Sequence, residues 1–99
     1  YMFTSKQRSK ARSIAQTIQP VTQIGKGGIS DNLIASLSDA LEARELIKIS
    51  VLNNIDEDAK ALAVSLAEQL NAEVVEVIGK KIVLYRKSSK KDFNHLKFD

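Results

Sequence analysis

The residues best suited to chemistry in this chain are Ile24-Gly25-Lys26-Gly27-Gly28-Ile29-Ser30-Asp31. Glycines on both sides of one lysine allow positive φ, and with no Cβ in the way a bulky partner can approach the backbone closely. The amides exposed in this way become hydrogen-bond donors. Ser30 is a good N-cap, so the turn opens onto the positive end of a helix, where free N–H groups and the macrodipole attract a phosphate. Lys26 adds a mobile positive charge beside them. A plain connector between strand and helix would use glycine for the same conformational reason, so the meaning of the loop depends on what surrounds it.

Other chemistries find less material. The chain has no cysteine, which removes disulfides, thiolate metal ligands and a thiol nucleophile. His95 is the single histidine. One imidazole without cysteine assembles neither a metal site nor a catalytic triad, so it reads as a surface residue. Asp56-Glu57-Asp58 offers oxygen ligands to a hard cation, but acids at a helix start are accounted for by the helix dipole. The Walker spacing is absent, and no acid, base and nucleophile are paired. The expectation is a protein with no catalytic residue, no metal and no cofactor.

Charge is segregated along the 99 residues, although the net charge is only +3. Residues 1–30 carry Lys6, Arg8, Lys10, Arg12 and Lys26 and no acid. Residues 31–76 hold ten acids against Arg44, Lys48 and Lys60, and residues 77–99 are basic again, with Lys80, Lys81, Arg86, Lys87, Lys90, Lys91 and Lys97. If the fold brings the two ends together, one face is basic and the other acidic, the electrostatic footprint of a polyanion binder. A second reading is a protein-interaction module whose acidic middle binds a basic partner. Arg8 and Arg12, four residues apart, repel one another on a helix, which an anion would relieve.

The length allows one domain with a single core of two packed layers. With 43% hydrophobic and 27% charged residues, and no apolar run near the ~18 residues of a membrane span, the chain reads as a soluble cytoplasmic monomer that binds no membrane. No secretory signal is evident, and Met2 reads as the natural start.

The elements that must position the loop follow from periodicity. Thr4-Ser5-Lys6-Gln7 is a capping box, and Ala11, Ile14, Ala15 and Ile18 continue it as a helix over about 5–18. Its apolar stripe has Arg8 and Arg12 on one flank, Lys6 and Lys10 on the other. Pro20 stops it, and Val21 to Ile24 form a short strand that delivers the chain to the loop. The loop therefore lies at the carboxyl end of a strand, where open α/β sheets hold ligands. A second helix spans Asp31 to about Ala43, with Leu33, Ile34, Leu37, Ala40 and Leu41 inward. Leu46 to Leu52 is a strand with Ile47, Ile49 and Val51 on its drier face and Lys48 and Ser50 opposite. After a loop at Asn53-Asn54, Asp56 caps a third helix whose Ala59, Leu62, Ala63, Leu66, Ala67 and Leu70 form the strongest stripe, ended by a left-handed Asn71. Val74 to Ile78 and Ile82 to Arg86 pair as a hairpin across Gly79-Lys80-Lys81. Tyr85 on that strand packs or stacks on a base. Residues 1–3 are expected to be disordered and residues 88–99 to form a loose basic tail, removable without loss of the fold. The order α-β-α-β-α-β-β predicts an α+β fold, a two-layer arrangement with a mixed four-stranded sheet.

The Gly25-Lys26-Gly27-Gly28 spacing resembles the Gly-x-x-Gly loop with which KH-type modules clamp an RNA backbone. More broadly, Thr4-Ser5-Lys6-Gln7-Arg8, Pro20-Val21 through Gly28, Glu45-Leu46-Ile47-Lys48, Val77-Ile78-Gly79 and Val83-Leu84-Tyr85-Arg86 together resemble the CRM (chloroplast RNA splicing and ribosome maturation) domain, which in bacteria occurs as small stand-alone YhbY-like proteins. The resemblance covers about residues 4–87. It implies a fold similar to the C-terminal domain of translation initiation factor three plus an N-terminal helix, and an RNA-binding role without catalysis. The implied partners are ribosomal RNA in precursors of the large ribosomal subunit, and ribosomal proteins. By position it assigns RNA contact to Gly25 to Gly28, Lys6 and Arg8, with Lys48 and Arg86 also matching; charge and helix position add Lys10 and Arg12. Ala11, Arg44 and Glu76 depart from the usual residues, and Glu76 is an acid where phosphate would be repelled.

Overall fold

The computed structural model describes residues 3–25, 27–52 and 58–96. Helix α1 (Ser5–Ala15) starts with the capping box: the Thr4 hydroxyl accepts the Gln7 N–H at 3.1 Å, and the Gln7 side-chain oxygen accepts the Thr4 N–H at 3.1 Å. It ends earlier than residue 18, because Thr17 and Ile18 donate to the carbonyls of Ile14 and Ala15 and so tighten the last turn. Pro20 opens β1 (Pro20–Ile24), a strand position that needs no N–H. Ser30 caps α2 (Asp31–Arg44) by accepting the Leu33 N–H at 3.1 Å.

Strand β2 (Leu46–Val51) leads to α3 (Ala59–Leu70). The cap of α3 is Asp58, which accepts the Lys60 N–H at 3.2 Å, rather than the expected Asp56. Asp56 lies outside the described residues, as do Lys26, Asn53, Asn54, Glu57, Lys97 and Phe98. Asn71 ends α3 at φ 55°, a left-handed residue that asparagine tolerates. Strands β3 (Glu73–Ile78) and β4 (Lys81–Tyr85) complete the regular structure of the described residues.

The sheet order is β1-β2-β4-β3, with β1 and β2 parallel and the other two pairings antiparallel. This is the predicted mixed α+β sheet. Helices α2 and α3 pack Leu37, Leu41, Leu62, Leu66 and Leu70 against Ile24, Ile47, Ile49, Val51, Ile82 and Leu84 on one face. Each such side chain removed from water contributes about 1.5–3 kcal/mol. The N-terminal helix α1 covers part of the other face, where Ala11 and Ala15 meet Leu46, Val75, Val83 and Tyr85. Small residues on that stripe let α1 approach closely. Covered on both faces, β2 buries Leu46 and Ser50 as well as Ile47, Ile49 and Val51, so its expected wet side is largely dry.

The two ends of the chain are better anchored than their composition suggests. Phe3, expected in a disordered start, is buried and stacks at a tilt on Tyr85 with ring centroids 5.0 Å apart. Residues 86–96 have no regular structure, yet Ser88 is buried and its hydroxyl donates to the Glu42 carbonyl at 2.8 Å. The expected loose tail is a docked strap over this span.

Candidate nucleic-acid interface

Parallel pairing of β1 with β2 and antiparallel pairing of β2 with β4 bring three connections to one end of the sheet. They are the glycine loop after Ile24, the segment after Val51 and the hairpin at Gly79-Lys80. Main-chain bonds join them: Leu52 donates to the Ile24 carbonyl at 3.0 Å and Val51 to the Lys80 carbonyl at 2.7 Å. Lys80 and Lys81 therefore stand at the same end as the glycine loop. The sequence places them in a turn and in the basic C-terminal charge but not beside the glycine loop; the pairing of Ser50 with Lys81 carries the missing signal, since an antiparallel partner begins where β2 ends.

Within the loop, Gly28 donates to the Gly25 carbonyl at 2.9 Å and has φ 68°, so glycine is needed there for its left-handed backbone. At Gly27 a Cβ would meet nothing within 4 Å, whereas at Gly25 it would lie 3.5 Å from Leu52 Cδ1. A Cβ at Gly28 would also meet nothing within 4 Å, so Gly27 and Gly28 both lie on the open side of the turn, and only Gly27 is free of the positive φ. The turn runs directly into the capped amino end of α2, where Asp31 occupies the first turn. Close by, on the face of the sheet that carries α1, Lys81 Nζ donates to Ser50 Oγ at 2.6 Å. Lys48 is half-buried on the same face.

The remaining expected contacts are dispersed. The side chain of Arg8 is turned to the edge strand: its guanidinium donates to the carbonyls of Val74 and Val75 at 2.7 and 2.9 Å and lies 3.7 Å from Glu73. Arg12 Nε is 4.0 Å from Glu76. The acids of β3 relieve the Arg8–Arg12 repulsion that the sequence reading assigned to an anion. Arg86 donates to the Leu70 carbonyl and to the carbonyl and hydroxyl of Ser38 at 2.9, 3.0 and 3.0 Å, tying the middle of α2 and the end of α3 to the end of β4. Lys6 and Lys10 are exposed. They lie toward the start of α1, which sits at the Glu73 end of the sheet, opposite the glycine loop.

Two acids at the end of α2 are also engaged within the chain. Glu45 is fully buried at φ 67°, and its carboxylate accepts the amides of Ser88 and Leu96, both at 2.7 Å, and meets His95 Nδ1. Burial pushes its pKa up, but the His95 and amide hydrogen bonds outweigh that and hold it below the ordinary value. Glu42 is lowered by hydrogen bonds from the Ser89 hydroxyl and amide. His95 is thus a partner of Glu45, not a bare surface residue. Among the described residues no group of three His, Cys, Asp or Glu side chains could hold a metal ion, and no helix is long and apolar enough to cross a membrane.

Three helices on a mixed four-stranded sheet, with a glycine turn, Lys80 and Lys81 at the carboxyl end of its parallel pair, define an α+β domain with lysines gathered at one end. Over residues 3–86 the chain matches the model of the CRS1 / YhbY (CRM) domain, and it belongs to that family. It is 47% identical over 87 residues to YqeI of Bacillus subtilis, named a probable RNA-binding protein, covering 88% of this chain and 91% of that one. A Pseudomonas aeruginosa relative, PA4753, named in the same way, is 32% identical over 92 residues, covering 93% and 88% of the two chains. The solution structure of SAV1595 from Staphylococcus aureus, described as a candidate RNA-binding protein, superposes with a TM-score of 0.76 at 49% identity, over 92% of this chain and 95% of that one. These relatives carry the names of RNA-binding proteins, not of enzymes.

Proposed function

We propose that this protein binds structured ribosomal RNA in precursors of the large ribosomal subunit, as an assembly factor working in the cytoplasm as a monomer. The observation that carries the reading is the glycine turn: a left-handed Gly28 and an unobstructed Gly27 at the amino end of a capped helix, with Lys26 in the turn by sequence and Lys80 and Lys81 at the same end of the sheet. Backbone amides and mobile ammonium groups together suit a phosphodiester. Lys48 is a further contact on this side of the molecule. Lys6 and Lys10 form a separate basic flank of α1 and Arg12 lies on its other flank beside Glu76, while Arg8 and Arg86 act by holding the fold. The alternative, a module using its acidic middle to hold a basic ribosomal protein, has less support, because Glu42, Glu45, Glu73 and Glu76 already have partners within the chain.

The test compares two double substitutions at one fixed salt on the same structured RNA. Replacing Lys26 and Gly27 by Asp puts two negative charges and added bulk where the phosphate is proposed to sit, and binding is expected to collapse. Replacing the exposed Lys90 and Lys91 by Asp changes charge at both positions outside the turn and is expected to matter much less. Equal losses in two folded variants would reduce the turn to a connector and leave binding as an effect of net charge.

A further inference from the structure

The register of the sheet sets Gln23, Ser50, Lys81 and Ile78 in one row across β1, β2, β4 and β3. This row lies on the face that α1 covers elsewhere, but α1 ends at Ala15 and leaves Gln23, Lys81 and Ile78 exposed, with Ser50 buried at its hydrogen bond from Lys81. Two hollows meet there and share Gln16, Lys48 and Lys81. One is a polar groove of about 670 Å³ reaching Gln23 and Ser50. The other is a recess of about 210 Å³ floored by Ala15, Val83 and Ile78. Ile78 is 62% exposed, a large apolar side chain at the rim of a polar surface.

We propose that this row binds one unpaired nucleobase of an RNA strand whose backbone is held at the glycine turn. The proposal rests on the RNA-binding reading and adds a second kind of contact to it. A base has apolar faces and a polar edge with both donors and acceptors. Ile78, Val83 and Ala15 supply the apolar floor; the amides of Gln16 and Gln23, the Ser50 hydroxyl and the Lys48 and Lys81 ammonium groups supply the edge partners. Lys48 has no hydrogen bond or ion pair with any described residue. Glu76 also lines the recess, near Arg12. A carboxylate there opposes a phosphate and accepts from a base amino group, which favours a base over a second phosphate. Gln23 precedes Gly25 by two strand positions, about 7 Å at ~3.3 Å per residue, so one strand can reach both sites.

Fluorescence anisotropy tests this with labelled single-stranded RNA homo-octamers of the four bases and an abasic ribose-phosphate octamer of equal length and charge. The wild-type protein should bind at least one homo-octamer about fivefold more tightly than the abasic chain, the scale of one base face packed on apolar side chains with an edge hydrogen bond. The charge-neutral double variant Gln23→Ala/Ile78→Ala alters only exposed side chains; it should cut that preference to about twofold or less and leave abasic affinity unchanged, since phosphate contacts remain. A wild-type protein indifferent to bases, or a variant that keeps the preference, overturns the base site while abasic binding at the glycine turn survives. Failure of the wild type to bind any octamer or a structured RNA overturns both readings. If Gln16→Ala, remote from the strand ladder, also lowers the preference, a folding defect in β1 or β3 is not the cause.

Discussion

Nδ1 of His95 stands 2.5 Å from Oε2 of Glu45, across 50 positions of sequence. With the Ser88 and Leu96 amides on the same carboxylate, this one buried side chain fastens the C-terminal strap to the end of α2. Its own main chain takes part as well: Glu45 donates to the Leu41 carbonyl and accepts from Arg86. A single residue thus joins helix end, central strand and tail.

The first prediction concerns that carboxylate. Its folded pKa is depressed, so its contribution to stability is complete above the unfolded glutamate value and is lost as pH falls through the lower folded value. Glu45→Gln replaces an acceptor by an amide that cannot serve all three donors, and should cost about 2–4 kcal/mol at neutral pH. A fall in Tm of at least about 10 °C is expected for a domain of this size. Denaturant melts across the acid range should show a shallower pH dependence in the variant than in the wild type. Truncation after Lys87 should lower Tm similarly, because it leaves the buried carboxylate without His95, Ser88 and Leu96. An unchanged Tm on truncation would show that the strap contributes nothing to the fold.

A second prediction separates arginines that hold the fold from lysines that meet a ligand. Arg86→Lys cannot reach the Leu70 carbonyl and both oxygens of Ser38 at once, since an ammonium lacks the planar fork. It should destabilise the domain by about 1–3 kcal/mol. Arg8→Ala should cost about 1–2 kcal/mol by releasing the carbonyls of Val74 and Val75. RNA affinity, measured well below each variant's Tm, should stay within about threefold of wild type, because both guanidinium groups are already engaged by partners within the fold. A tenfold loss of affinity in a folded Arg8 variant would return it to the interface.

The difference between those arginines and the rest of the fold explains what the sequence made legible. Caps and stripes are local, so Thr4 with Gln7, Ser30, Asn71 and the three apolar helix faces could be read from spacing alone, as could the glycine turn. The partners of Arg8 and Arg86 lie 66 and 48 positions away at their furthest or nearly so, and no local pattern marks them. Charged residues at helical spacing look like a wet flank whether or not an edge strand waits beside them. Glu45 was read within an acidic segment, although its burial depends on residues 88–96 returning across the end of α2. Lys80 and Lys81 were visible as turn residues; their closeness to the glycine loop needed strand order.

The third prediction is a salt titration. With phosphate contacts from Lys26 and Lys80, and the charges of Lys48 and Lys81 beside the strand, log affinity should fall against log salt with a slope of roughly −1.5 to −3.5, at ~0.7–0.9 per phosphate. Lys80→Ala together with Lys81→Ala should reduce the magnitude of that slope by about 1 to 2. Lys6→Ala with Lys10→Ala, at the opposite end of the sheet, should change it less. The reverse ranking would move the interface to the outer flank of α1.

The last prediction divides the conformational role of the glycine turn from its role in contact. Gly28→Ala forces a Cβ onto a backbone at φ 68°, which costs about 1–2 kcal/mol for an L residue. Gly28→Asn should recover much of that loss, because asparagine visits the left-handed region more readily. Gly27→Ala should leave Tm nearly unchanged, since its Cβ meets nothing within 4 Å. Yet that same open side is where a phosphodiester would pack, so one methyl group should hold it away from the amides and weaken RNA binding by about fivefold or more, the scale of one lost hydrogen bond. Thermal melts and anisotropy on the same three proteins decide the matter. Stability should follow the substitution at Gly28, and affinity the substitution at Gly27. If Gly27→Ala binds RNA as tightly as the wild type, the ligand does not approach the turn from its open side, and the lysines alone account for binding.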